Sequence, residues 1–358
     1  MRAIILGPKH PEKFPGGAEV YAQKLAQVLG EIGIDTTYAL QTDRPRATEL
    51  LVLNGGSGTI ALWADAWVNR ARAVWVIPHD ALLTSSRNCG LHWRRPFDEV
   101  LAQLLRQKFQ ALARRGAIFI AVSRANGEEL RRDFGITPVV IPNGTDIPTR
   151  SPKPLESPVS DSLKKLRKQV IVLGGFVGRW DTVKNPKFIR SFISSMPPEA
   201  GMVLRSSPDG IYTYYARLGL LQPPQHERVV HLPLISSKEM VQLYSQLDFL
   251  ILPSLYEGFG YAILEAALLE VLPFVTPVGL GHDFLQDPVL EKLVIRIPPF
   301  GTESAKEVWH RITSILADLP QQEHIRKHLR IFVTRYSWEN WKRAIHELAR
   351  QSLGVALP

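Results

Sequence analysis

Short apolar runs alternate with longer amphipathic segments along most of this chain, and this alternation predicts a parallel α/β architecture. In the first part of the chain, strands are predicted at residues 3–7, 36–40, 49–54, 73–79, 117–122 and 137–142. In the later part, they are predicted at residues 169–174, 201–205, 228–232, 247–252, 271–276 and 292–297. A helix is predicted over residues 18–30, where Tyr21, Leu25 and Val28 recur at helical spacing.

Residues 148–168 separate the two alternating parts. This segment carries prolines at positions 148, 152, 154 and 158 with charged residues and serines between them, a composition typical of linkers. The sequence therefore predicts two successive doubly wound α/β domains, residues 1–147 and residues 169–336. A last helix, opened by Trp338 and Trp341, is predicted within residues 337–358.

The composition fits a globular chain of two domains, with 358 residues of which 45% are hydrophobic and 22% charged. Cys89 is the single cysteine, so an internal disulfide is excluded and a reducing cytosol is favoured. No apolar run reaches the roughly 20 residues that cross a bilayer. The first strand begins at residue 3, so no signal peptide is expected and the predicted location is cytoplasmic. The net charge of +9 favours an anionic partner: nucleic acid, a membrane surface or a phosphorylated substrate.

The most informative stretch runs from Asp248 to Glu270. An apolar run predicted to be a buried strand is followed by a loop with Glu257 and two glycines, and then by a helix over residues 259–269. The first N–H groups of such a helix have no internal partner, which favours an anionic ligand such as a diphosphate. Glu257 can accept hydrogen bonds from hydroxyls, and Glu265 lies in an otherwise apolar helix. Alternatively, Glu257 is a solvated loop charge and Glu265 marks the exposed helix face.

A second candidate is the pair Arg179 and Lys184, in the loop predicted after the strand at 170–174. Asn185 is a favourable N-cap and Pro186 a favourable first residue for the helix that follows. A planar guanidinium and a compact ammonium together suit a diphosphate, although both could be solvated loop cations.

Glycines and a histidine in the first domain are further candidates. Gly16 and Gly17 precede the first predicted helix, where they allow a ligand to approach the backbone, but a plain tight turn explains them equally well. His79 follows the fourth strand, at the sheet edge where α/β proteins bind ligands, although a lone histidine is more often packed or solvated. The glycine-rich run at 54–61 fits a loose dinucleotide fingerprint, but it follows the third strand, so a tight turn is favoured over nicotinamide binding.

Two of these motifs resemble glycosyltransferase family four, the retaining nucleotide-sugar glycosyltransferases. The resemblance is carried by Glu257-Gly-Phe-Gly followed by Glu265-Ala, and by Gly178-Arg179 with Lys184 five residues on. It implies the GT-B fold, with two facing Rossmann-like doubly wound domains and a cleft between them. It also implies that the last helix crosses back to the first domain, which binds the acceptor.

The resemblance also implies roles for individual residues. Arg179 and Lys184 would bind the donor diphosphate, Glu257 and His79 would hold the hexose, and Glu265 would hold the ribose. The helix start at Gly258, Phe259 and Gly260 would also contact the donor, and Gly16 and Gly17 would lie near the diphosphate and the acceptor.

The expected activity is therefore a retaining transfer of a hexose from a nucleotide-diphosphate sugar to a glycan or lipid-linked acceptor. No Asp-x-Asp occurs, so neither a metal nor another cofactor is expected. Arg205-Ser-Ser-Pro-Asp-Gly210 and Gly279-Leu-Gly-His-Asp283 depart from the family's usual glycine-rich segments, which leaves the sugar open. The alternatives are a GT-B sugar-nucleotide epimerase, which needs no acceptor, and a non-catalytic basic protein that binds membranes or nucleic acid. For the transferase, no nucleic acid partner is expected.

Residues 84–115 suggest contact with a membrane. They hold seven basic and two acidic residues beside an apolar set. The basic residues are Arg87, Arg94, Arg95, Arg106, Lys108, Arg114 and Arg115, and the apolar set is Leu91, Trp93, Phe97, Leu101, Leu104, Leu105, Phe109 and Leu112. This combination predicts peripheral binding to an anionic cytoplasmic leaflet. An equally acceptable interpretation is that the apolar stripe packs on the sheet and the cations are solvated.

Overall fold

The computed structural model describes residues 1–8, 17–55, 59–79, 82–90, 95–145, 158–207, 223–233 and 235–354. The chain divides into two compact units. The first unit combines Met1–Gly144 with Tyr336–Pro358, and the second is Thr145–Arg335. Each is a parallel sheet connected by helices, as the alternation of apolar runs predicted.

In the described part of the first unit, the strands form one parallel sheet with the order β2-β1-β3-β4-β5-β6. The strands are β1 (Arg2–Gly7), β2 (Asp35–Leu40), β3 (Thr48–Gly55), β4 (Ala71–Pro78), β5 (Ile118–Ala121) and β6 (Val139–Val140). The interior strand β1 is buried from Ala3 onwards, and Ala3 lies opposite both Thr36 and Leu50. The carboxyl ends of β1, β3 and β4 therefore lie at one edge of the sheet.

Helices cover this sheet, and their apolar faces form its core. They are α1 (Gly17–Glu31), α2 (Asp65–Val68), α3 (Leu82–Asn88), α4 (Arg95–Arg114) and α5 (Arg124–Phe134), with a 3₁₀ turn at Thr59–Trp63. Tyr21, Leu25 and Val28 of α1 are buried, which confirms the predicted apolar face. Ser123 caps α5 by accepting a hydrogen bond from the N–H of Asn126 (3.1 Å).

The last helix of the chain packs on α1 of this first unit. The imidazole Nε2 of His346 lies 3.1 Å from the carbonyl oxygen of Val28, and the indole N–H of Trp75 donates to Ser352 Oγ (3.3 Å). A methyl group on Gly144 would lie 2.5 Å from the carbonyl oxygen of Ser337, so only glycine allows the two chain segments to approach this closely.

In the second unit, the described strands form a parallel sheet with the order β11-β10-β7-β8-β9. The strands are β7 (Val172–Arg179), β8 (Ala200–Ser207), β9 (Val229–Leu232), β10 (Phe249–Leu252) and β11 (Leu272–Val275). The helices are α6 (Pro158–Gln169), α7 (Pro186–Ser194), α8 (Ser237–Tyr244), α9 (Tyr261–Leu268), α10 (Leu280–Phe284), α11 (Ala305–Ala317) and α12 (Leu319–Val333), and the last helix of the first unit is α13 (Trp338–Leu353). Further 3₁₀ turns are Thr182–Lys184, Leu290–Leu293 and Thr334–Tyr336.

The strand before Arg179 is longer than predicted. The sequence predicted a loop from residue 175, but β7 continues to Arg179. A methyl group on Gly174 would lie 2.2 Å from the ring of Phe249, and one on Gly175 would lie 2.3 Å from the side chain of Leu247. These glycines therefore make room for side chains that pack on the strand, and they do not end it.

Two other predicted segments differ. The linker was predicted over residues 148–168, but its second half lies in helix α6. This helix forms because Leu163 and Leu166 are buried within the second unit. Residues 146–157 lie outside the described part. No strand occupies residues 292–297, where a 3₁₀ turn is followed by a single bridge between Val294 and Val275. The bridge extends no further because β11 itself ends at Val275.

Among the described residues, no helix is both long enough and apolar enough to cross a membrane.

Candidate functional site

One buried carboxylate contacts both Arg179 and Lys184, the pair predicted in the second unit. Arg179 is the last residue of β7, and Lys184 ends the 3₁₀ turn that follows. Asp181 is fully buried; its Oδ2 lies 3.1 Å from Arg179 Nε, and its Oδ1 accepts a hydrogen bond from the backbone N–H of Lys184 (3.1 Å). The Arg179 side chain nevertheless remains 59% exposed. Asp181 therefore orients the Arg179 side chain and fixes the backbone at Lys184, while Arg179 stays accessible to a ligand.

The turn after Lys184 follows from its sequence. Asn185 adopts a left-handed conformation (φ 56°), which asparagine tolerates better than most residues. Its side chain accepts a hydrogen bond from the N–H of Phe188 (3.3 Å), and Pro186 is the first residue of α7. The predicted cap and first residue of this helix are confirmed.

The loop after β10 brings Glu257 to Lys184. The N–H of Leu255 donates to the carbonyl oxygen of Val183 (2.7 Å), which joins this loop to the turn that holds Lys184. Lys184 Nζ forms an ion pair with Glu257 Oε1, and Ser254 Oγ donates to the same oxygen (2.7 Å). Both charged side chains are mostly buried, at 16% and 12% exposure. Glu257 is therefore a fixed, paired carboxylate and not the solvated loop charge that was the alternative.

The Glu257-Gly-Phe-Gly segment is supported from below by Gly279. The N–H of Leu280 donates to the carbonyl oxygen of Phe259 (2.8 Å). A methyl group on Gly279 would lie 2.4 Å from that carbonyl oxygen and 2.8 Å from Glu257 Cβ. Gly260, with φ of 97°, then leads into α9. The conformation of this loop thus depends on a second loop that carries no side chain at the point of contact.

Glu265 is half-buried on α9, where its Oε2 accepts a hydrogen bond from the hydroxyl of Tyr244 (3.0 Å). Burial raises the pKa of Tyr244, and the negative charge of Glu265 adds to this rise. Burial and Glu265 also raise the pKa of Tyr261. Both tyrosines therefore remain neutral at ordinary pH, and Tyr244 orients the carboxylate as a hydrogen-bond donor. Glu265 is not a fully exposed helix charge, which was the alternative interpretation.

In the first unit, His79 follows β4 and contacts Asn54 at the end of β3. Asn54 Nδ2 donates to the carbonyl oxygen of Ala18 (3.0 Å), which turns Oδ1 towards His79 Nε2 (2.8 Å). Because Oδ1 can only accept, Nε2 carries the hydrogen and Nδ1 keeps its lone pair. Burial lowers the pKa of His79 to about 4, so the ring is neutral at pH 7. His79 is therefore a fixed imidazole with an acceptor nitrogen.

The start of α1 completes this second group. Gly17 is exposed, and a methyl group on it would meet no atom within 4 Å, so there is open space around its backbone. Ala18, Asn54 and His79 are linked by hydrogen bonds, which brings His79 close to the start of α1. Gly16 lies outside the described residues. The structure thus places the predicted residues in two groups, one in each unit.

Sequence reasoning missed several residues that support these groups. They are Asn54, Asp181, Ser254, Tyr244 and Gly279. The only signal in the sequence was that Asn54, Asp181 and Ser254 are polar residues at the end of a strand or in the turn that follows one. Tyr244 belongs to a helix 21 residues before Glu265, so its contact could not be found from spacing.

Among the residues that the structure describes, no group of three His, Cys, Asp or Glu side chains could hold a metal ion.

The fold is that of known GT-B proteins. Sucrose-phosphate synthase from Thermosynechococcus elongatus superposes with a TM-score of 0.74 at 17% identity, over 99% of this chain and 100% of that chain. Anabaena HepE in complex with UDP and glucose gives a TM-score of 0.67 at 18% identity, over 98% and 100%. WaaG, a glycosyltransferase involved in lipopolysaccharide biosynthesis, gives 0.60 at 14% identity, over 99% and 100%. These similarities confirm the predicted α/β architecture and the GT-B fold class.

The sequence itself matches one family model over about a third of its length. Residues 212–332 match the model described as glycosyl transferases group 1. The matched region contains Glu257, Glu265 and Gly279, whereas Arg179 and Lys184 precede it. No curated protein sequence matches this chain.

Proposed function

We propose that this protein is a retaining, metal-independent glycosyltransferase that moves a hexose from a nucleotide-diphosphate sugar to a glycan or lipid-linked acceptor. The proposal is carried by the buried ion pair between Lys184 and Glu257, which joins the loops after β7 and β10, with Arg179 exposed beside it. The GT-B fold and the match to the group 1 model support it. The binding of UDP by the similar HepE structure supports a nucleotide donor.

Arg179, Lys184 and the start of α9 are proposed to bind the donor diphosphate. When the glycosidic bond of the donor breaks, negative charge develops on the departing diphosphate. A guanidinium, an ammonium and backbone N–H groups held in place beforehand stabilise that charge without reorganisation. Asp181 contributes to this preorganisation because it pairs with the Arg179 side chain and anchors the backbone of Lys184, whose ammonium is held by Glu257.

The two glutamates are proposed to bind sugar hydroxyls. Ser254 and Lys184 both contact Oε1 of Glu257, so Oε2 can accept a hydrogen bond from a hexose hydroxyl. Glu265 would accept a hydrogen bond from a ribose hydroxyl, and Tyr244 fixes the orientation of the Glu265 carboxylate. His79 would accept a hydrogen bond from a hexose hydroxyl at Nδ1, because its other ring nitrogen, Nε2, is bonded to Asn54.

Retention is proposed to follow a front-side mechanism, in which the acceptor attacks on the face that the diphosphate leaves. The departing diphosphate takes the proton of the acceptor hydroxyl. The oxygen of the acceptor forms the new bond to the anomeric carbon, and the electrons of the broken bond stay on the diphosphate. The protein residues orient the sugar and stabilise charge.

The test of this activity is turnover of a panel of UDP-, GDP- and ADP-hexoses, followed by NMR with and without glycan and lipid-linked acceptors. We expect slow donor hydrolysis for one nucleotide class and faster turnover when an acceptor is present. An epimerase would convert the donor sugar without any acceptor, and a non-catalytic protein would leave every donor unchanged. Either result would contradict the proposed transferase.

We also propose that the acceptor is reached at the cytoplasmic face of an anionic membrane, through helix α4. Each of the two interpretations of residues 84–115, membrane binding and packing on the sheet, fits part of this helix. Leu105, Phe109 and Leu112 are buried in the core, as the packing alternative holds, whereas Phe97, Val100 and Leu104 are 65%, 60% and 49% exposed. These three lie at positions i, i+3 and i+7, so they form one apolar stripe on the helix surface.

Part of the predicted positive charge is already used within the protein. Arg106 donates to the carbonyl oxygen of Asp133 (2.6 Å), and Lys108 pairs with Asp65. Leu91, Trp93 and Arg94 lie outside the described residues, as does the side chain of Arg95. The apolar stripe, defined by Phe97, Val100 and Leu104, is therefore the feature on which the membrane proposal depends.

Sedimentation with liposomes tests this surface. The wild type should pellet with anionic vesicles at low salt, and Phe97→Glu with Leu104→Glu should remain in the supernatant. The matched control is Leu319→Glu with Ile331→Glu, which changes two exposed apolar residues of α12 (71% and 56% exposed). If the control loses binding equally, or if the wild type never pellets, the stripe does not bind membranes.

A further inference from the structure

Arg205 lies next in line along the sheet edge that carries the proposed donor site. Its strand β8 neighbours β7, which in turn neighbours β10. Parallel strands end at the same edge and lie about 4.8 Å apart. Moving across the sheet, the loop with Glu257 follows β10, Arg179 ends β7, and Arg205 lies close to the end of β8.

The strand register places Arg205 and Arg179 on the same face of the sheet. Arg205 is paired in register with Val177, and Arg179 is two residues further along the same strand as Val177. Side chains two residues apart on a strand point to the same side. The two guanidinium groups therefore lie on one face, near the edge that carries Glu257.

One N–H group of the Arg205 guanidinium is buried. The residue is half-buried, and its Nε is buried without a hydrogen-bond partner among the residues described. A buried N–H group without a partner carries an energetic cost, which a hydrogen-bond acceptor on a bound ligand would remove.

Arg205 is also near the residues assigned to the ribose. Its positive charge lowers the pKa of Tyr244, against the larger effects of burial and Glu265 that raise it. Tyr244 is the residue that holds Glu265 through a hydrogen bond of 3.0 Å. The buried N–H, the strand order and this proximity place Arg205 at the nucleoside end of the donor.

We propose that Arg205 is a specificity-determining residue that donates hydrogen bonds to a carbonyl oxygen of the donor's base. This rests on the proposed function, because it assumes a nucleotide donor. A guanidinium has five donors and no acceptor. Uracil and guanine present carbonyl oxygens, whereas adenine presents an amino group and no carbonyl. The donor is therefore a sugar nucleotide whose base carries a carbonyl oxygen, such as uracil or guanine, and adenosine diphosphate sugars are disfavoured.

Binding of UDP, GDP and ADP to the full-length protein, measured by titration calorimetry, tests the inference. These nucleotides share ribose and diphosphate and differ in the base. We expect UDP or GDP to bind the wild type at least tenfold more tightly than ADP. Arg205→Met keeps a long side chain and removes its hydrogen-bond donors. It should weaken binding of that preferred nucleotide by roughly 10- to 100-fold. ADP affinity should change by less than threefold.

Two further variants make the result specific. Lys306→Met removes one positive charge from an exposed position of α11 and should change no affinity. Arg205→Lys keeps the charge but loses the planar group, and it should recover only part of the discrimination. Melting curves of each variant verify that the fold is retained.

The outcomes separate the two proposals. If none of the three nucleotides binds the wild type, the proposed donor function is wrong, and this inference falls with it. If UDP or GDP binds and Arg205→Met leaves the base preference unchanged, or weakens all three nucleotides equally, Arg205 does not recognise the base. The proposed function then stands without it.

Discussion

The ion pair between Lys184 and Glu257 couples the stability of the proposed site to its chemistry. With side-chain exposures of 16% and 12%, each charge depends on the other, because water reaches neither freely. Removing one partner of such a pair costs more than removing both, since the remaining charge is left uncompensated. Loss of activity in a single variant therefore reports on folding as well as on diphosphate binding.

A double-mutant cycle separates these effects. Lys184→Met should lower Tm by roughly 5 °C or more, because Glu257 is left buried and unpaired. Adding Glu257→Gln should restore part of that loss, while nucleotide binding remains weak. The measurement is thermal denaturation of the wild type and the three variants. Additive changes in Tm would show that the two side chains do not interact.

His79 makes the stability of the folded protein depend on pH. Its pKa of about 4 in the folded protein lies below the ordinary value of 6.5, so the unfolded chain binds a proton more readily. The folded state therefore loses stability as pH falls from 6.5 towards 4, and above 6.5 this loss is absent. The full effect is at most roughly 3 kcal/mol.

The prediction is that Tm of the wild type falls more steeply between pH 6.5 and 4 than Tm of His79→Gln, which cannot take up the proton. His310→Gln, which changes an exposed histidine of α11, is the control and should follow the wild type. The comparison is made by calorimetric scans at half-unit steps of pH. Parallel curves for the wild type and His79→Gln would contradict the lowered pKa of His79.

At the scale of elements, the Glu257-Gly-Phe-Gly segment of the proposed donor site depends on Gly279, which precedes α10. Gly279 has φ of 53°, and a methyl group there would contact both Phe259 and Glu257 at less than 3 Å. Gly279→Ala should displace the Glu257-Gly-Phe-Gly segment and weaken UDP or GDP binding by roughly tenfold or more, since the diphosphate contacts lose their preorganisation.

The control for this change is Gly30→Ala in α1, where the added methyl group meets nothing within 4 Å and helix propensity favours alanine. Nucleotide affinity, measured by calorimetry, should be unchanged in Gly30→Ala. Unchanged affinity in Gly279→Ala would mean that this glycine does not position the loop.

The sequence predicted most of the elements but not how they are locked together. The apolar runs located nearly all the strands, because buried parallel strands are continuous and hydrophobic. The predicted end of β7 was too early, because the pair Gly174-Gly175 is typical of a loop. In the structure, these glycines instead make room for Phe249 and Leu247, which pack on the strand. The contacts of Glu265 with Tyr244 and of His79 with Asn54 join distant segments, and a single sequence gives no signal for such pairs.

At the scale of the whole molecule, the chemistry of the charges favours transfer without a metal. The chain carries a net charge of +9 and lacks an Asp-x-Asp motif, and the proposed function assigns stabilisation of the departing diphosphate to Arg179 and Lys184. After dialysis against EDTA, the protein should keep at least half of its turnover with its preferred donor. Complete loss of turnover that magnesium or manganese restores would contradict this account.

The most direct test of the central claim is the turnover of Arg179→Ala with the preferred nucleotide sugar. Arg179 is the cleaner choice because its side chain is 59% exposed, whereas that of Lys184 is mostly buried. A melting curve of the variant verifies that the fold is retained once the buried Asp181 has lost its ion-pair partner. Losing one preorganised donor to a developing charge costs roughly 10²- to 10³-fold in rate. We predict a decrease of that size in kcat, with Lys306→Ala at the wild-type rate. Turnover of Arg179→Ala within threefold of the wild type would contradict the proposed diphosphate site.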